Sequence, residues 1–174
     1  GALAIRGTKP TQCFMRGYDL DDEAPWCIHR ESTKYVLVLN SVYVVNISAF
    51  SHFSCLTSVL LSSSVSSIGS FAFDGCEKLR SFLIPQNLRS CDYCSFNCCD
   101  FPTFSIPNSV TLIDEFAFAH NKSLTSITIG DNAEIRRCNP FYSCPNLKTI
   151  AISKGSVHFV IIDGVLFSKD KTRL

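Results

Sequence analysis

Apolar residues recur along this chain in a fixed phrase about every 23 positions. The clearest copies read Leu79-x-x-Phe82-x-Ile84-Pro85, Leu124-x-x-Ile127-x-Ile129 and Leu147-x-x-Ile150-x-Ile152. Leu56-x-x-Val59-x-Leu61 is another, and Phe101-x-x-Phe104-x-Ile106-Pro107 is a weaker one. The anchors stand at positions 56, 79, 101, 124 and 147, in steps of 23, 22, 23 and 23. The copy at Leu124 ends in alternation: Ile127 and Ile129 are apolar, while Ser126 and Thr128 are polar. That period of two predicts a half-buried strand. A second phrase keeps the same beat. Phe50, Phe73, Phe96, Phe118 and Phe141 follow one another by 23, 23, 22 and 23 residues. Val65-x-x-Ile68-x-x-Phe71, Val110-x-x-Ile113-x-x-Phe116 and the looser Val42-x-x-Val45 precede them.

Self-similarity of this length is the signature of a solenoid, in which each repeat buries its apolar face only against its neighbours. Two registered phrases per repeat predict one coil with two inward-facing edges. The first edge should stack into a parallel sheet, and the rest of each repeat supplies the long crossover that parallel strands need. Pro85 and Pro107 directly follow their strands, where a residue without an N–H suits a strand end. Thr33, Val36 and Val38 fall one period before Leu56, Val59 and Leu61, which predicts a degenerate first coil. Residues 1–32 show no repeat. They hold Trp26 and the acidic run Asp21-Asp22-Glu23, and residues 1–35 are read as an N-terminal cap or flanking segment. Beyond Ile152, Asp163-Gly164 between the apolar runs Val160–Ile162 and Val165–Phe167 predicts a hairpin with a type I′ turn.

Together these phrases resemble the BspA-like leucine-rich repeats, whose pattern runs roughly Val-x-x-Ile-Gly-x-x-Ala-Phe-x-x-Cys-x-x-Leu-x-x-Ile-x-Ile-Pro. The segment from Val65 through Ile68, Gly69, Ala72, Phe73, Cys76, Leu79, Phe82 and Ile84 to Pro85 matches nearly in full. The stretch Ile162–Lys169 looks like the hairpin insert of such proteins. The resemblance implies an α/β-class, mainly β, leucine-rich-repeat solenoid. Five to six coils of 22–23 residues would carry one parallel sheet on one face and a short second β edge on the other. The solenoid is placed at 36–152, and a C-terminal hairpin insert at 153–174, continuing into further repeats of a longer parent. The match departs at Leu88–Phe101, one residue short, and at Ala133–Phe141; both coils are expected to bulge. The resemblance also implies adhesion or protein recognition by a surface antigen. A fold alone does not fix this.

Composition narrows the alternatives. Of 174 residues, 46% are hydrophobic and 18% charged, a balance suited to a packed domain and not to disorder. A formal net charge of +1 gives no electrostatic footprint for nucleic acid, and no apolar run reaches the length of a membrane helix. The chain begins at Gly1, as a fragment or processed protein would.

Ten cysteines invite a metal or redox reading, above all Cys91-x-x-Cys94-x-x-x-Cys98-Cys99. Register favours packing instead. Cys91 takes the slot of Ile68 and Ile113, Cys94 and Cys138 take that of Phe71 and Phe116, and Cys76 and Cys144 share theirs with Asn121. Free cysteine behaves as a small buried hydrophobe, and Asn121 shows that the shared turn slot does not need a disulfide. Cys76 and Cys99, one coil apart, are near enough in principle to oxidise. His52 and His120 occupy a position where Gly75, Cys98 and Ser143 stand in other coils, which predicts a turn. No nucleophile elbow, phosphate loop or zinc-protease motif occurs, so no catalytic residue, cofactor or metal is assigned. Asn46-Ile-Ser48 and Asn121-Lys-Ser123 are glycosylation triplets, the second placed in an inward slot that conflicts with a glycan.

A binding role needs a surface. The outward column of the first sheet should contain Ser58, Leu60, Ser81, Leu83, Thr103, Ser105, Ser126, Thr128, Thr149 and Ala151. It is nearly uncharged, with Leu60 and Leu83 adjacent. The first eight are the candidate partner-binding residues, facing a host, cell-surface or scaffold protein. The expected function is therefore non-catalytic recognition or adhesion on a cell-surface or secreted protein. The alternative is an intracellular cytoskeletal or axonemal scaffold, which unpaired cysteines would suit equally well.

Overall fold

The alternation of the first phrase becomes a row of short strands, each one coil beyond the last. In the computed structural model, residues 1–5, 24–136 and 139–169 are described. Along one edge lie β1 (Ala2–Ile5), β2 (Tyr35–Val38), β4 (Ser58–Leu61), β6 (Ser81–Leu83), β8 (Thr103–Ser105), β10 (Ser126–Ile129) and β12 (Thr149–Ile152). Along the other lie β3 (Val44–Val45), β5 (Ser67–Ile68), β7 (Ser90–Cys91), β9 (Leu112–Ile113) and β11 (Glu134–Ile135). Pairing within both edges is parallel and, from β2 onward, follows the sequence period: Val36 opposes Val59, Val59 opposes Phe82, and Phe104 opposes Ile127, which opposes Ile150. The degenerate first coil is real, with β2 in full register on β4 and Thr33 buried. No α-helix occurs among the described residues; a single 3-10 turn spans Cys27–His29.

Between the two edges runs a stack of rings. Trp26, Phe50, Phe73, Phe96, Phe118 and Phe141 follow one another at centroid separations of 5.8, 5.3, 5.6, 5.3 and 6.1 Å. The backbone holds each ring in step: Phe50 N–H donates to Ala72 O, Phe73 to Ser95 O and Phe96 to Ala117 O. At the N-terminal end, Trp26 lies over Phe50 and donates its indole N–H to Ala49 O at 2.7 Å.

The turn slot of His52 and His120 is left-handed in every described coil, with φ of 58° at His52, 68° at Gly75, 54° at Cys98, 55° at His120 and 56° at Ser143. The hairpin is β13 (Phe159–Ile162) with β14 (Val165–Ser168), and Asp163 and Gly164 both have positive φ, as its tight turn requires.

Three features depart from expectation. Residues 2–5 join the first sheet as β1, in register with Tyr35–Val38. The offset from β1 to β2 is 33 residues instead of 23, so periodicity could not reveal it. The shortened coil at Leu88–Phe101 does not bulge on the second edge, where Ile68, Cys91 and Ile113 remain in register. It opens instead on the first edge. That edge is two sheets, one ending at β6 and the other beginning at β8, with no ladder between them. Pro102, which has no N–H, occupies the slot whose N–H ties each coil to the one before it.

Candidate interaction surface

Because the side chains of a strand alternate, burying Val36, Val59, Ile127 and their counterparts forces the residues between them outward. The column predicted from sequence lies on one face as expected: Leu60, Ser81, Leu83, Thr103, Ser105 and Thr128 are exposed, and Ser58 and Ser126 half-exposed. Leu60 pairs laterally with Leu83 and, on its other side, with Leu37. Leu37, Leu60 and Leu83 are 36%, 46% and 66% exposed. They form one apolar row across three neighbouring strands spaced about 4.8 Å apart. Leu37 was missing from the sequence-derived set, although carrying the alternation back one period from Leu60 would have found it. Tyr35 flanks Ser58 in the same way. A cleft of about 530 Å³ opens beside the row, lined by Leu37, Leu39, Asn40, Ser41, Leu60 and Ser62.

The strand residues of this face are uncharged, and Lys34, Arg80 and Lys148 share the slot at its margin. Arg80 is held by Asp100, its Nε 2.6 Å from the carboxylate, and Asp100 also accepts from Ser123. A surface of this kind can meet another protein with little charge to desolvate, since interface cores are depleted in charged residues.

A second set of exposed rings was not foreseen. Phe71, Tyr93, Phe116 and Tyr142 form an edge-to-face chain at 5.2, 6.0 and 5.6 Å. Phe71 and Phe116 share one slot, but Tyr93 and Tyr142 come from two others, so the repeat phrase gives no warning that the four rings converge.

The cysteines occupy packing and turn positions. Cys76 Sγ donates to Phe50 O at 3.1 Å, Cys99 Sγ to Phe73 O at 3.3 Å and Cys144 Sγ to Phe118 O at 3.1 Å. Asn121 fills the fourth place in this series, its side-chain amide donating to Phe96, Phe118 and Ala119 carbonyls. The slot thus satisfies the carbonyl of the stacked phenylalanine one coil back, and its shared chemistry is a donor of the right reach. Burial pushes the Cys76, Cys91 and Cys99 thiols well above their ordinary range, and Cys94 up to about 11. Cys55, Cys76, Cys91, Cys94, Cys98, Cys99 and Cys144 are free, and no three His, Cys, Asp or Glu side chains among the described residues converge as a metal site would. Cys13, Cys138 and Asp21–Glu23 lie outside the described residues.

The family model for the BspA type leucine rich repeat region matches residues 43–171 in 6 copies. A leucine-rich repeat protein from Eubacterium ventriosum is similar in structure, with a TM-score of 0.83 and 26% identity over 91% of this chain and 42% of its own. One from Bacteroides ovatus is 33% identical over 68% of this chain and 31% of its own, with a TM-score of 0.62. A leucine rich cell surface protein from Faecalibacterium prausnitzii shares the fold at a TM-score of 0.68, 23% identical over 78% of this chain and 37% of its own. The chain spans less than half the length of each. No curated protein matches it significantly in sequence.

Proposed function

This chain belongs to the BspA type leucine-rich-repeat family, and from that premise we propose that it is a non-catalytic recognition module, the solenoid part of a cell-surface or secreted protein that adheres to a protein partner. The observation that carries this is the row Leu37–Leu60–Leu83, set in a hydroxyl-rich strip with almost no charge. Serine and threonine around the row give a partner hydrogen-bonding positions at its rim, and the leucines give it an apolar centre, the arrangement in which binding energy concentrates. A surface location is supported by the fold shared with the F. prausnitzii cell surface protein. Residues 1–35 serve in this reading as the cap of the solenoid, with Trp26 stacked on Phe50.

The test is the double variant Leu60→Ser/Leu83→Ser, assayed for adhesion of the labelled chain to immobilised cell-surface protein fractions. Affinity should fall about tenfold or more, the scale of a lost hot spot, while the thermal midpoint stays within a few degrees. Unchanged affinity would exclude this face.

A second reading, an intracellular scaffold, draws on the free thiols of the described residues, which suit a reducing compartment. Thiol titration of native protein isolated without reductant separates the two, since complete reduction of all ten cysteines favours the intracellular role.

A further inference from the structure

The first edge is interrupted in the middle of the solenoid, and the interruption has an unusual composition. At the start of each strand phrase, one N–H ties the coil to the one before: Thr57 to Lys34 O, Arg80 to Thr57 O, Thr125 to Pro102 O and Lys148 to Thr125 O, at 2.9–3.1 Å. The fourth coil has Pro102 here, with no donor. Just past the strand, Ser62 donates to Val38 O and Ser153 to Ile129 O; the fourth coil has Pro107 in that slot. Pro85 fills it in the third coil, where β6 still pairs with β4, so one missing donor is tolerated. Both are missing only in the fourth coil.

Bulk adds to this. Phe82, Phe101 and Phe104 replace the aliphatic residues of other coils and crowd against Phe96, with Phe82 4.8 Å from Phe96 and Phe101 4.8 Å from Phe104. As a result β6 and β8 make no ladder. The coils still touch at one end, where Asp100 N–H donates to Leu79 O at 3.1 Å, and along the unbroken second edge. The opening is therefore a wedge confined to the outward face. It forms a cleft of about 350 Å³ whose lining includes Arg80, Phe82, Leu83, Ile84, Thr103 and Ser105. Phe82 and Ile84 occupy core slots yet are only half-buried, whereas Val59, Leu61, Ile127 and Ile129 in those slots are buried.

We propose that this seam is a receptor slot for one extended, uncharged peptide segment of the partner protein, which inserts between β6 and β8 as an added strand. The inference rests on the recognition reading and names the form its partner takes. Main-chain direction supports it. Ile106 N–H donates to Thr128 O, so alternation turns the main-chain groups of Thr103 and Ser105 into the seam, and those of Phe82 and Ile84 face them from β6. Only another peptide backbone carries donors and acceptors at the matching spacing for both walls. Paired strands lie about 4.8 Å apart, so a strand seated between β6 and β8 would hold the two walls at about twice that spacing. Insertion between strands is an established mode of peptide recognition. The floor of Phe82 and Ile84 selects an apolar residue at alternate positions. Arg80, the one charged residue lining the cleft, is already paired with Asp100, so anionic ligands find no free charge there.

The probe is a fluorescein-labelled peptide with blocked ends copying residues 123–130, an uncharged stretch that forms a strand of this same edge as β10. It should bind the intact chain at least tenfold more tightly than its scrambled sequence. Hydrogen exchange should slow at Phe82–Ile84 and Thr103–Ser105. The variant Pro102→Thr/Phe82→Val, which restores the residue types of the neighbouring coils, should close the ladder. It should slow exchange at those amides without peptide and weaken peptide binding at least tenfold. Val157→Ser/Val165→Ser, at exposed residues of the C-terminal end away from the seam, should leave peptide binding unchanged. Equal binding of the scrambled peptide, equal binding by the closed variant, or protection at β1 or β12 instead of the seam would overturn the slot. Peptide failure alongside an intact Leu60/Leu83 adhesion effect rejects the slot and leaves the recognition reading standing.

Discussion

At the scale of single residues, the repeat imposes backbone conformations that its side chains tolerate unequally. Five coils share one left-handed slot, and Gly75 is the only glycine in it. A β-carbon at Gly75 would meet the His52 ring as well as the steric penalty of positive φ. Gly75→Ala should therefore destabilise the chain by about 1–2 kcal/mol in urea titration. His52→Gly in the same chain should return part of that loss, because it removes the clash and relieves its own left-handed residue. Additive behaviour of the pair would show that the ring contact does not matter. The turn at this slot was legible from sequence because Gly, Ser, Cys and His interchange there. The clash was not legible, since it joins residues 23 positions apart.

At the scale of elements, the ring stack couples the coils. Phe96 is fully buried and contacts Phe73, Phe82, Phe101, Phe104 and Phe118. Truncation to alanine should cost about 3–5 kcal/mol, measured as a lower urea midpoint. Trp26→Ala should cost less, because Trp26 is half-exposed whereas Phe96 is fully buried. Equal costs would mean that the stack does not act as the interior of the solenoid. The strands themselves were readable because alternation and period agreed. The split between β6 and β8 was written at Pro102, but its meaning depends on where the neighbouring coil needs a donor, and that requires the register in space.

For the whole molecule, buried thiols set an alkaline limit on stability. Burial raises Cys76, Cys91 and Cys99 far above the ordinary value of 9.0. Below about pH 9 the folded and unfolded chains both keep these protons, and stability is full. Above it the unfolded chain releases protons that the folded chain retains, so stability falls with rising pH, by about 1.4 kcal/mol per pH unit for each such thiol. The urea midpoint should be level from pH 7 to 8.5 and drop steeply from 9 to 11. Cys91→Val, which fits a slot that accepts isoleucine, should make that drop shallower. A midpoint unchanged to pH 11 would mean that these thiols ionise freely and are not core.

The sequence by itself determined the coil, its two edges, the inward rings and the outward column with Leu60 and Leu83, because each follows from a local period that packing must respect. Only the tertiary structure decided that β1 joins the sheet, that Leu37 completes the leucine row, and that Pro102, Pro107 and three phenylalanines together open the face. Those outcomes depend on which groups from distant positions share a hydrogen bond or a volume, and a one-dimensional pattern does not carry that.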